Sequence, residues 1–190
     1  MPEVRDKRRK TDLDLFLLAL VNNGVCTPYA LQMSAGLSPG ATIPVLQRLA
    51  EAGLVGQGKP GSRGRTEHRV TPAGKKLLKT GWKSLIEDGP SGDLDSDLRV
   101  ALLALASGER RLAKDFLERS AARKLESIAM LERPDEPDPL PALAYWYREL
   151  RSASARVMLK GGSAAALAMA EALPRRLTKS NRRTRGPITR

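Results

Sequence analysis

Residues 37–74 read "LSPGATIPVLQRLAEAGLVGQGKPGSRGRTEHRVTPAG", and the way this stretch turns decides the fold. Ser38-Pro39 is a helix start: a hydroxyl able to accept from the free N–H groups of the first turn, then a proline at the first helical position, where no N–H is needed. Ile43, Leu46, Leu49 and Ala50 supply an apolar stripe for the helix that follows, and Gly53 stops it. Leu54-Val55 then enters a strand, the run containing Gly56, Gly58, Gly61 and Gly64 turns, and His68-Arg69-Val70 returns antiparallel. Thr71-Pro72 repeats the start signal for a helix carrying Leu77 and Leu78. The glycine-rich run is not a P-loop, because no Gly-x-x-x-x-Gly-Lys-Ser/Thr can be written across it and no strand-to-helix junction follows.

Upstream, Thr11 opens a capping box with Asp14, and Leu13, Phe16, Leu17, Leu20 and Val21 recur at helical spacing. Leu15, Leu18 and Ala19 fall on the other side, so this helix can be covered on both faces, by its own chain or by a second one. Val25-Cys26 reads as a short strand, and Thr27-Pro28 starts a short helix that ends at Gly36. Helix, short strand, helix, helix, then a hairpin with a glycine-rich basic tip is the order of a winged helix-turn-helix, predicted over residues 12–82. Residues 1–11 form a basic arm.

The chain carries a formal charge of +12, and its placement matters more than its size. Residues 56–80 hold seven Lys/Arg against one Glu, residues 151–190 ten against one, and residues 81–150 ten against fourteen acids. Cations gathered into patches predict an anionic partner, with nucleic acid foremost. Cys26 stands alone, so no internal disulfide forms, and with no leader-like segment the chain reads as cytoplasmic. The longest apolar stretch, Leu13 to Val21, is too short for a bilayer, so no membrane partner is expected. Cys26 and the sole His68 are too few for a zinc site, and neither metal nor cofactor is expected. No catalytic pair can be assembled around His68 among the arginines, so an enzyme is not predicted.

"LSPGATIPVLQRLAEAGLV" followed by "HRVTPAG" resembles the PadR family of winged-helix transcriptional regulators, through Pro44, Leu46, Arg48, Leu49, Gly53 and Leu54, then Arg69, Thr71, Pro72 and Gly74. Pro44 inside a helix is the distinguishing feature, since an interior proline removes a backbone bond. Ala41, Ile43, Glu67 and His68 stand where the family pattern has other residues. The resemblance covers roughly residues 12–82 and implies a C-terminal helical dimerisation region.

Residues 83–97 read as a linker, rich in Gly, Pro, Ser and Asp. Residues 98–174 read as a helical dimerisation or effector region. It has a short helix on Leu98, Ala101, Leu102 and Leu105, and a longer one from Arg110 striped by Leu117, Ala121, Leu125, Ile128 and Leu131. After "RPDEPDPLP" come a third helix carrying Tyr145, Trp146 and Tyr147 and a fourth capped by Ser163. Such stripes are more often core than ligand site; Trp82, Tyr145 and Trp146 are the large aromatics available to line a pocket for a small apolar effector. Residues 175–190 form a basic, disordered tail.

The function these features predict is a sequence-specific double-stranded DNA-binding transcriptional repressor, mainly α-helical and homodimeric. Its third helix enters the major groove and its wing lies on the backbone. With Ile43, Leu46 and Ala50 inward, the DNA-facing set on the helix is Ala41, Thr42, Pro44, Val45, Gln47 and Arg48, where Arg48 could instead pair with Glu51. On the wing the set is Lys59, Arg63, Arg65, His68 and Arg69. A winged-helix protein adapter and a non-specific architectural packager of nucleic acid are the rival readings.

Overall fold

The computed structural model describes residues 11–60, 66–131 and 142–175. The basic arm, the wing tip with Arg63 and Arg65, the proline-rich break and the basic tail beyond Arg175 lie outside these residues. Among those described, the chain is mainly helical with one two-stranded antiparallel sheet: α1 Asp12–Asn22, α2 Pro28–Ala35, α3 Pro39–Glu51, β1 Val55–Pro60, β2 Thr66–Val70, α4 Pro72–Asp88, α5 Leu94–Ala106, α6 Arg110–Leu131 and α7 Ala142–Ala172. No described helix is long and apolar enough to cross a membrane.

The first four helices begin where their caps place them. Asp14 N donates to Thr11 Oγ1 at 3.2 Å and Thr11 N donates back to Asp14 Oδ2 at 3.0 Å, closing the capping box. Thr27 accepts from Ala30 N at 3.1 Å, Ser38 from Ala41 N at 3.3 Å and Thr71 from Gly74 N at 3.1 Å, each followed by proline at the first position. Thr71 also donates its hydroxyl to Gly53 O at 2.7 Å, which ties the start of α4 to the turn after α3. Gly74 completes that junction: a β-carbon there would sit 2.3 Å from Leu54 O and 2.8 Å from Val70 Cγ1. α3 runs unbroken through Pro44.

β1 and β2 pair with Val55 opposite Val70, Gly56 opposite Arg69 and Gln57 opposite His68, and the register shifts before Pro60 meets Thr66. Val25-Cys26 is not a strand. It contributes a single rung, Cys26 O accepting from His68 N at 2.8 Å.

Two apolar cores share α1 as their common wall. Leu17, Leu18 and Val21 pack with Leu31, Val45, Leu46, Leu49 and Val55. Leu15, on the opposite side, packs with Trp82, Ile86, Val100, Ala101, Leu103, Phe116, Leu117 and Ala170. Both faces of α1 are thus covered within one chain. Arg99 Nε donates to Asp12 Oδ2 at 2.6 Å, adding a partly buried tie between α1 and α5.

The second half departs from the sequence reading at four points. The connection between α4 and α5 is only residues 89–93, not 83–97. The acids of "DLDSD" belong to the first turn of α5, where Asp93 accepts from Asp95 N and Ser96 N at 2.8 and 3.1 Å and negative charge suits the helix dipole. α7 is one helix across Gly161-Gly162, and Ser163 is buried within it and starts nothing. The glycine serves close approach: a β-carbon at Gly162 would lie 3.1 Å from Lys124 Cε. Leu125, expected in the α6 stripe, is 51% exposed, whereas Leu117, Ala121 and Ile128 are buried. Finally, Trp82 is core, 4% exposed, packed in the same cluster as Leu15 and Ile86.

α6 carries a buried polar network. Asp97, 1% exposed, accepts from Ser91 N at 2.8 Å, Ser91 Oγ at 3.0 Å and Ser120 Oγ at 2.5 Å. Lys124 Nζ donates to Ser120 Oγ at 3.1 Å and stands 3.7 Å from Asp97 Oδ2. A carboxylate this deep is tolerable only with its lone pairs and charge answered. The answering groups pin the α4–α5 connection onto α6.

Candidate nucleic-acid interface

α3 presents its outer face because the opposite one is consumed by the core. Thr42, Val45, Leu46 and Leu49 are 0%, 3%, 1% and 0% exposed, the i, i+3, i+4, i+7 set of one buried stripe. Thr42 goes inside because its hydroxyl donates to Pro39 O at 3.4 Å and leaves its methyl to pack. Relative to the expected phase the helix is turned by about a quarter of a revolution, taking about 100° per residue. Thr42 and Val45 therefore leave the set of surface contacts, and Ile43, expected inside, is 42% exposed. Ala41, Pro44 and Gln47 are exposed. The complete four-residue stripe starting at Thr42 was available in the sequence as the signal; the hydroxyl disguised it.

Arg48 is also reassigned. Its Nη2 donates to Asp14 Oδ1 at 2.7 Å, and that carboxylate is 6% exposed while the arginine side chain is 51% exposed. The guanidinium answers a buried charge on α1 rather than pairing with Glu51. A partner 34 positions away cannot be found from helical spacing.

On the hairpin, His68 is 6% exposed and its Nδ1 has no hydrogen-bond partner among the described residues. Burial lowers its pKa, so the ring is neutral at neutral pH and is not a phosphate-binding cation. It was placed among the contacts for its sequence neighbours, but strand alternation sends it inward and Glu67 and Arg69 outward. Arg69 is 78% exposed on its side chain, 3.8 Å from Glu67, a weak surface pair. Lys59 lies on β1. Tyr145 and Trp146 lie on α7, outside the residues whose side chains are described.

A basic ridge escaped the sequence reading. Lys75, Lys76, Lys79 and Lys83 are all exposed on α4 and form no ion pair among the described residues. Their spacing, i, i+1, i+4 and i+8, places them on one side of the helix. Together with Arg69 they extend the cationic surface from the hairpin along α4. No protein-family model matches the chain, and no curated protein matches it.

Proposed function

We propose that the chain is a sequence-specific double-stranded DNA-binding regulator of winged-helix type, with α3 as its reading helix, acting as a homodimer. The observation that carries this reading is the outer face of α3: Ala41, Ile43, Pro44 and Gln47 stand exposed, Ile43 and Gln47 beside the cleft between α2 and the hairpin, in a chain of net charge +12. With Arg48 held by Asp14, base reading falls to the Gln47 amide, suited to adenine, and to apolar contact of Ala41, Ile43 and Pro44 with thymine methyl groups. Arg69, the α4 lysines and the hairpin cations supply phosphate contacts, which set register without reading sequence. The resemblance to PadR regulators agrees with this arrangement.

The homodimer reading rests on α7. Leu143, Leu150 and Val157 recur every seven residues and are 84%, 67% and 72% exposed, with Tyr147 on the same seam at 67%. An exposed heptad seam of this kind is covered by the same seam of a second copy about a two-fold axis. A pair of reading helices then addresses two half-sites.

Selection of bound duplexes from a random pool with the full chain tests the proposal. The expected product is an inverted repeat with half-sites about one helical turn, roughly 10 bp, apart. Tight binding without enrichment supports the architectural reading instead, and no duplex binding supports an adapter.

A further inference from the structure

Between α2, α3 and the hairpin lies a cleft of about 390 Å³, lined by Tyr29, Ile43, Leu46, Gln47, Gln57 and His68 among others, with no Lys, Arg, Asp or Glu among the described residues of its wall. Its volume falls in the range of small-molecule sites, about 300–1,000 Å³. Its lining has the composition of such sites too: an apolar body with a few amides and one imidazole.

The imidazole is the informative group. His68 is fixed from behind, its backbone N–H given to Cys26 O at 2.8 Å and its strand position paired with Gln57. Its side chain is 6% exposed, and the buried Nδ1 has no hydrogen-bond partner among the described residues. A buried polar atom left unpaired is costly and rare in a folded chain, and the ring that carries this one lines the cleft, where a group entering from outside can answer it. Kept neutral by burial, the ring can accept at one nitrogen and donate at the other.

We infer that this cleft is a binding site for an uncharged, largely apolar small molecule that hydrogen-bonds to the His68 imidazole, and that its occupancy competes with duplex DNA. A charged ligand would meet no counter-charge among the described residues of the wall. Competition follows because Ile43 and Gln47 belong both to the cleft and to the outer face of α3. The competition rests on the reading of α3 as the DNA-contacting helix; the binding does not.

Indole, uncharged, apolar and carrying one N–H donor, is a suitable probe on the full chain. His68 is the sole histidine, so its two ring ¹⁵N resonances are unambiguous reporters. Titration with indole is expected to shift them saturably. His68→Phe should weaken indole binding about three- to tenfold by calorimetry, the worth of one hydrogen bond. Ile43→Glu, at an exposed position that leaves folding alone, should also weaken it by placing a carboxylate at the cleft. Added mixed-sequence duplex should raise the apparent indole dissociation constant in proportion to its concentration. Unmoved ring resonances, equal affinity in His68→Phe, or indole and duplex bound together without mutual effect each overturn the inference. A chain that binds indole at His68 but shifts with no duplex at all defeats the regulator reading and with it the competition, while the site itself stands.

Discussion

The guanidinium of Arg48 reaches from α3 to the carboxylate of Asp14 on α1 at 2.7 Å, and that carboxylate also closes the cap of its own helix. A residue placed to read DNA therefore works as a strut between helices. Arg48→Met should destabilise the chain by about 1–3 kcal/mol in urea unfolding, because it strips a buried acid of its cation, while leaving base preference in place. Gln47→Ala should do the reverse, with unchanged stability and a relaxed preference at one base pair worth about 1–3 kcal/mol. Loss of base preference in Arg48→Met with Gln47→Ala silent would return the reading role to the arginine.

The α4 lysines are expected to act through phosphate. Replacing Lys75, Lys76, Lys79 and Lys83 by Ala should weaken binding to specific and random duplexes alike. It should also reduce the slope of log K against log salt by about 0.9 for each lysine that meets a phosphate. Titrations at several salt concentrations measure this, and an unchanged slope would remove the ridge from the interface.

Gly74 and Gly40 should respond oppositely to the same change. A β-carbon at Gly74 would meet Leu54 O at 2.3 Å, backbone that cannot yield without moving β1, so Gly74→Ala should cost more than about 2 kcal/mol. Gly40, in the first turn of α3, has nothing within 4 Å of its would-be β-carbon, and Gly40→Ala should stabilise by about 0.4–1 kcal/mol. Urea midpoints of the two variants decide the matter.

The α7 seam predicts separable assembly. Leu150→Glu with Val157→Glu alters side chains 67% and 72% exposed in the single chain, so the fold should survive while the dimer does not. Light scattering should give a monomer with unchanged helical circular dichroism and much weaker binding to a two-half-site duplex. A monomeric parent chain would remove the homodimer.

What could be read from the chain was local. Thr11, Thr27, Ser38 and Thr71 cap their helices through contacts three residues long, and such signals need no knowledge of the rest of the molecule. What escaped was long-range. The inward turn of Thr42, the partner of Arg48, the burial of Trp82 and the continuity of α7 past Gly161-Gly162 are each decided by a neighbour distant in sequence. For the candidate site, the consequence was that α3 was legible as an element but in the wrong phase. That phase decides which side chains meet a partner.

Because α1 walls both cores, the connection at residues 89–93 joins two parts of a shared interior rather than two independent bodies. A protease cutting there would not liberate a stable N-terminal fragment. It would expose Leu15, Trp82 and Ile86, all buried against the helices beyond the cut, and the fragment's own apolar surface would then drive it to aggregate. A change at Phe116 or Leu117 therefore bears, across α1, on the core that seats the helix carrying Gln47.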